Sequence, residues 1–257
     1  MRYSVTLSYD GSSYSGWQMQ PNAVSVQEVL QKAISLVLRE EIPVTGAGRT
    51  DTGVNAIGYV AHFITYAPLC EEELCYKLNA ILPASIRIHE VKKVSEDFHA
   101  RFDASLRRYN YFIHRTKDPF IKHYSYLCTY PLDVEAMNKA CQYLLGTHDF
   151  SCFEKTGGNS KTPICTVYRA EWQTYTPDHV RIMDYPGADG DYLVFTISAN
   201  RFLRNMVRAI VGTLLDIGRG RYPAGHMEEV LGSGSRSSAG ESVPGHALFL
   251  SKVEYPG

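Results

Sequence analysis

Arg2-Tyr3-Ser4-Val5-Thr6-Leu7-Ser8-Tyr9 opens the chain with strict two-residue alternation. Tyr3, Val5, Leu7 and Tyr9 fall on one face and Arg2, Ser4, Thr6 and Ser8 on the other. That pattern predicts a strand with one buried face. Asp10-Gly11-Ser12-Ser13 ends it with turn residues. Ser25 and Glu28 then stand at capping-box spacing. The stripe Val26, Val29, Leu30, Ala33, Ile34, Val37 and Leu38 carries a helix to about Arg39, and Pro43 closes it. The same reading predicts strands over 56–65, 86–94, 107–114, 164–175, 180–183 and 192–199. Helices are expected over 71–80, from an Asp133 N-cap to Gly146, and from an Asn200 cap to Ile217. Strands and helices alternate in both halves, which is the order of an α+β fold built from two similar sheet-and-helix halves. The halves divide at residues 1–105 and 106–257.

Between the first helix and the strand at 56 lies Gly46-Ala47-Gly48-Arg49-Thr50-Asp51-Thr52-Gly53-Val54-Asn55-Ala56. Small residues surround one acid, and three glycines permit tight or positive-φ backbone and close approach of a ligand. A carboxylate beside Arg49 suits a nucleophile or a general base. The same residues also fit a plain β-turn, with Asp51 bonding its own backbone. Two nucleotide-loop readings fail on spacing. A P-loop would need Lys at Arg49 and Gly at Pro43. A dinucleotide fingerprint from Gly46 would need Gly at Asp51.

Bulk composition narrows the classes. The chain has 257 residues, 44% of them apolar and 21% charged, as in ordinary globular proteins. The N-terminus lacks an apolar signal region, and no stretch approaches a membrane span, so a cytoplasmic location and no membrane partner are expected. Six cysteines are scattered without a Cys-x-x-Cys pair; buried thiols are expected, not disulfides. Nine histidines show no metal-type spacing. His62, His114 and His148 read as core or surface residues, and no metal is expected.

The net charge of −1 hides segregation. Arg101, Arg107, Arg108, Arg115, Lys117 and Lys122 crowd one segment, and Arg201, Arg204, Arg208, Arg219 and Arg221 crowd another. Together they could form one electropositive cleft, or two solvated faces. On a helix starting at Asn200, Arg201, Arg204 and Arg208 would share one edge near the positive dipole end. Such an edge suits a phosphate or a carboxylate.

Several segments together resemble the tRNA pseudouridine synthase A family. Tyr9-Asp10-Gly11, Gly16-Trp17-Gln18, Gln20-Pro21-Asn22 and Ser25-Val26-Gln27 are similar to its opening. The 46–56 loop resembles its signature, whose nucleophilic Asp maps onto Asp51. His99-Ala100-Arg101-Phe102-Asp103-Ala104 with Arg107-Arg108-Tyr109-Asn110-Tyr111 resembles the next block. Its substrate-contacting Tyr maps onto Tyr109. Phe202-Leu203 and Met206-Val207-Arg208 resemble a later helix whose Arg, mapping onto Arg208, pairs with the catalytic carboxylate. Glu241-Ser242-Val243-Pro244 and Leu248-Phe249-Leu250 resemble the C-terminal block. Thr52, Asn55, Arg201 and 245–247 depart from the usual residues without removing an assigned group.

The resemblance implies a mixed, mainly antiparallel sheet with helices on one face and a central RNA-binding cleft. It implies isomerisation of uridine to pseudouridine on the 3′ side of the tRNA anticodon stem-loop, at positions 38 to 40, by a homodimer needing no cofactor. Tyr109 would stack on the base and is a possible proton carrier. Arg49, Arg101, Arg107, Arg108, Asn55, Arg201, Phe202 and Arg204 would contact substrate, with Lys122 a further phosphate candidate. The glycines would give clearance for a flipped nucleotide. Two competing readings use the same residues. A non-catalytic RNA binder has no use for an acid in a basic cleft. A carboxylate hydrolase wants a second acid, and none is evident.

Overall fold

A computed structural model describes residues 1–157, 162–188 and 190–256. Its elements run β1 (Arg2–Tyr9), α1 (Val26–Leu38), β2 (Thr45–Gly46), β3 (Asn55–Ile64), α2 (Glu71–Ile81), β4 (Ile86–Val94) and β5 (Leu106–His114). They continue with β6 (Tyr126–Leu127), α3 (Val134–Gln142), β7 (Gly146–Asp149), β8 (Ile164–Thr174), α4 (Asp178–Met183), β9 (Tyr192–Ala199), α5 (Met206–Gly218), α6 (His226–Ser233) and β10 (Leu248–Glu254). The chain divides into two compact units, 1–107 with 249–257, and 108–248. Most of the C-terminal strand is grouped with the first unit. The reason is a parallel pairing of β10 with β3, Phe249 opposite Asn55 and Leu250 opposite Ala56.

In the first unit the strand order is β4-β1-β3-β10, with β2 beside β3. β1 pairs antiparallel with both β3 and β4. Its alternation reads out as expected, since Tyr3, Val5, Leu7 and Tyr9 are all buried. Helix α1 starts where the capping box puts it, with Ser25 Oγ accepting from the Glu28 amide at 3.2 Å. Arg39 ends it in the left-handed region at φ 54°. Val26, Leu30, Ala33 and Ile34 form its buried stripe.

In the second unit the order is β5-β9-β8-β7, with β6 parallel to β5. β8 pairs antiparallel with β7 and β9. Asp133 caps α3, its Oδ1 accepting from the Ala136 amide at 2.9 Å. Helix α5 is buried almost along its whole length. Two glycines make that possible. A Cβ on Gly212 would sit 1.8 Å from the Glu241 carbonyl oxygen, and one on Gly218 would sit 2.4 Å from Met137 Sδ. The α+β class with mainly antiparallel pairing in two sheet-and-helix halves is the fold of this chain.

Three expectations are corrected. Residues 180–183 lie in helix α4, not a strand; Pro177 precedes its first turn at φ −60°, and Asp184 ends it at φ 51°. Helix α3 ends at Gln142, and Gly146, at φ 94°, opens β7 instead. Helix α5 starts at Met206, not after Asn200. Asn200 is tied to β8, its Oδ1 accepting from the Thr166 amide at 2.8 Å. Asn205, at φ 67°, makes the turn into the helix. Among the described residues, no helix is long and apolar enough to cross a membrane.

Candidate active site

In the first unit, β2 runs antiparallel to β3, Gly46 opposite Ala61, and then leaves the sheet as the Asp51 loop. Its hydrogen bonds come from many directions. The Ala47 amide donates to Val60 O at 2.8 Å. The Tyr59 hydroxyl donates to Gly48 O. The Tyr9 hydroxyl and Thr50 Oγ1 lie 2.9 Å apart, both buried. The Trp17 amide donates to Thr50 O at 3.3 Å, and the Gly53 amide to Tyr14 O at 3.4 Å. Asn55 Oδ1 accepts from the Gly11 amide at 2.8 Å. A loop fixed at 47, 48, 50, 53 and 55 has little freedom at 51. Asp51 is half-buried, between exposed Arg49 and Thr52.

The loop rests on an aromatic floor. The Trp17 and Tyr59 rings stack with centroids 4.1 Å apart, and Tyr9 packs 5.6 Å from Tyr59. Gly46 lies against that stack, since a Cβ there would meet Tyr59 Oη at 2.2 Å and Trp17 Cε2 at 2.5 Å. A Cβ on Gly16, at φ +89°, would sit 2.2 Å from Thr50 O. Beside the loop, Arg107 donates to Ala47 O at 3.0 Å, Arg101 O at 2.6 Å and Ala104 O at 3.1 Å. Arg101 is exposed, its guanidinium 5.7 Å from the Phe102 ring centroid.

In the second unit, Tyr109, Tyr111 and Ile113 on β5 are buried together. Phe202 meets Tyr109 edge-on, with centroids 5.2 Å apart and planes at 90°. Arg201 and Arg204 precede α5, so the expected three-arginine helix edge does not form; Arg208 alone lies within the helix. Arg208 Nε donates to Val243 O at 2.7 Å, and the Val243 amide returns a bond to Arg208 O at 3.3 Å. Segment 240–244 that supplies this partner is itself clamped. Arg236 donates to Ala239 O, Gly240 O and Ser242 Oγ, and the Tyr111 hydroxyl donates to Pro244 O at 3.0 Å. Burial pushes the Tyr111 phenol far above its ordinary range, with Arg208 pulling weakly the other way. Tyr111 is thus a neutral donor, fit for holding main chain and not for moving protons.

Comparison with known proteins adds to this geometry. The family profile described as tRNA pseudouridine synthase matches residues 6–103 and 140–256. The chain belongs to the tRNA pseudouridine synthase family. The tRNA pseudouridine synthase A of Bacteroides fragilis is 46% identical over 257 residues, covering 99% of this chain and 96% of the relative. That of Bacteroides thetaiotaomicron is 47% identical, covering 99% and 91%. That of Thermoanaerobacter pseudethanolicus is 42% identical, covering 98% of each. The chain is therefore an isomerase that forms pseudouridine in tRNA.

Within this synthase, the site residues read from the sequence fall into two groups. Arg49, Arg101 and Arg204 are exposed, Lys122 likewise, while Asp51, Arg108, Arg201, Phe202 and Arg208 are half-buried. Two others belong to the scaffold. Asn55 is 2% exposed, and its Oδ1 accepts from the Gly11 amide. Arg107 donates to three main-chain carbonyls, those of Ala47, Arg101 and Ala104. The loop glycines differ in their surroundings. Gly46 serves packing on Trp17 and Tyr59, Gly53 supplies a positive φ of 76°, and Gly48 has open space where a Cβ would stand. The supporting Tyr9, Trp17, Tyr59 and Thr50 were missed as site residues. The available signals were Tyr9 on the buried face of β1, Trp17 in the Gly16-Trp17-Gln18 motif and Thr50 beside Asp51 in the loop.

Proposed function

We propose that this synthase acts on uridines on the 3′ side of the tRNA anticodon stem-loop, with Asp51 as nucleophile. Arg208 pairs with the carboxylate and orients it, as a planar bidentate donor can. Tyr109 stacks on the base. The observation that carries the reading is the rigid seating of the Asp51 loop beneath a half-exposed carboxylate. Pre-organisation of that kind is what a nucleophile needs, and a surface turn has no use for it.

The reaction breaks the uracil N1–C1′ bond and forms C5–C1′. The C5 proton is lost and N1 ends protonated, so atoms and electrons balance without a co-reactant. Asp51 serves by attack at C1′ or C6, or by assisting elimination. A stem uridine must first leave the stack, at a cost of a few kcal/mol that phosphate contacts offset. Arg49, next to the nucleophile and exposed, holds the flipped backbone or fills the vacated space. Arg101, Arg108, Arg201 and Arg204 take phosphates, so binding weakens with salt. The protein works in the cytoplasm as a homodimer, which widens the surface offered to one tRNA. The test is tRNA tritiated at uridine C5. Wild type releases the label and Asp51→Asn binds the tRNA without releasing it; ordinary release by Asp51→Asn overturns the mechanism.

A further inference from the structure

We infer that Arg107 is a positioning residue that rivets the nucleophile loop to the 99–104 segment. The inference rests on Asp51 being the nucleophile. A guanidinium offers five N–H donors in a rigid plane. Here that fork reaches carbonyls from two stretches of chain far apart in sequence: Ala47 O at 3.0 Å on one side, Arg101 O at 2.6 Å and Ala104 O at 3.1 Å on the other.

Both stretches are built to be held. Ala47 stands four residues before Asp51, and its amide is already pinned to β3. Arg107 binds the carbonyl of the same residue, so Ala47 enters the turn with both of its main-chain polar groups bound. The 99–104 segment is folded on itself. His99 Nδ1 accepts from the Arg101 and Phe102 amides at 3.1 and 3.3 Å. Asp103 Oδ2 accepts from the His99 amide at 2.7 Å. Below it, the Tyr255 hydroxyl donates to Ala100 O at 2.7 Å. The segment thereby presents the Arg101 side chain to solvent. Arg107 joins the peptide that displays this cation to the peptide that leads to the nucleophile. A shift of either is felt by the other.

A lysine cannot copy this arrangement. Its ammonium is a point charge on a flexible stem and lacks the planar fork. Misplacing a reacting group by about 1 Å costs on the order of 100-fold in rate. Arg107→Lys should therefore lower the single-turnover rate at saturating tRNA by about 10- to 100-fold. Its tRNA Kd should stay within about twofold, with the slope of log Kd against log salt unchanged. Arg101→Gln supplies the contrast, weakening binding and reducing that slope by about one contact. Amide hydrogen exchange over residues 46–53 should quicken in Arg107→Lys and not in Arg101→Gln. This readout also applies should Arg107→Lys lose overall stability.

An unchanged single-turnover rate in Arg107→Lys overturns the inference. So does a weakened Kd with a reduced salt slope, which would return Arg107 to phosphate contact. Asp51→Asn in the same assay separates the two ideas. Turnover by Asp51→Asn sinks the nucleophile reading. An inert Asp51→Asn beside a fully active Arg107→Lys sinks only the role of Arg107.

Discussion

The Asp51 loop and the arginine-bearing stretch 201–208 carry the charged side chains of this synthase, and they are held in opposite ways. Around Asp51 the main chain is fixed by residues from β1, β3, the 14–17 turn and Arg107. In the other stretch, Arg201 and Arg204 precede the helix, the Arg204 side chain exposed, whereas Arg208 lies within it with Nε donating to the Val243 carbonyl on segment 240–244. A nucleophile must be placed to a fraction of an ångström, whereas a cation facing a phosphate acts through a long-range field and tolerates slack. The largest effect that tests this contrast is therefore at Asp51. Asp51→Asn should lose activity by at least about 1000-fold, as nucleophile deletions do, with Tm unchanged. Arg204→Gln should cost only a few-fold in tRNA affinity and flatten the salt dependence by one contact. Equal losses from the two variants would erase the distinction.

Acid should expose the rigid side next. His62 lies on β3 beneath the 99–104 segment, 6% exposed, with Nδ1 accepting from the Ala100 amide at 3.1 Å. Burial chiefly, with His99 and Arg2 adding repulsion, holds its pKa near 4 against an ordinary 6.5. The folded state thus binds the proton less readily than the unfolded one. Stability from neutral His62 is complete above 6.5 and is lost as pH falls from 6.5 toward 4. The full shift corresponds to on the order of 3 kcal/mol. His62→Gln keeps a side-chain acceptor and removes the titration, so the decline of Tm between pH 6.5 and 4 should be shallower. An unaltered pH profile would show that His62 is not the group involved.

Packing at α5 gives the counterpart in the second unit. Gly212→Ala drives a methyl into the Glu241 carbonyl, a main-chain atom that cannot swing aside. Overpacking of this kind costs about 1–3 kcal/mol, which lowers Tm by several degrees in a chain of this size. Segment 240–243 must move, and with it the Val243 carbonyl that seats Arg208. The rate should fall together with Tm, and a lowered Tm with a wild-type rate would mean that Val243 does not set the position of Arg208.

What the sequence revealed follows from where the physics is local. β1, β4 and β9 are alternating or apolar runs bounded by turn residues, and each forms over the residues expected. The Ser25 and Asp133 caps act through bonds three residues away, so spacing alone finds them. Asn200 failed because its amide has an alternative partner 34 residues away in sequence, on β8, which no local pattern displays. β7 reads Gly146-Thr147-His148-Asp149 with no apolar signal; it exists through its pairing with β8. At the site, Asp51 stood out by its small neighbours. The role of Arg107 was hidden because an arginine in a basic run looks the same whether it meets a phosphate or three carbonyls.

The smallest effect expected on the fold comes from Gly48→Ala, and it separates scaffold from substrate within one loop. Gly46 and Gly48 are two residues apart. A methyl at Gly46 would strike Trp17 and Tyr59, whereas a methyl at Gly48 meets nothing within 4 Å. Gly48 also has no left-handed φ to maintain. Gly48→Ala should change stability by no more than about 0.5 kcal/mol, and Gly46→Ala by several times that. If the open space above Gly48 receives the flipped nucleotide, Gly48→Ala should still raise KM for tRNA or slow turnover while Tm holds. Wild-type kinetics in a fully folded Gly48→Ala would move the nucleotide elsewhere around Asp51, toward the exposed side marked by Arg49 and Thr52.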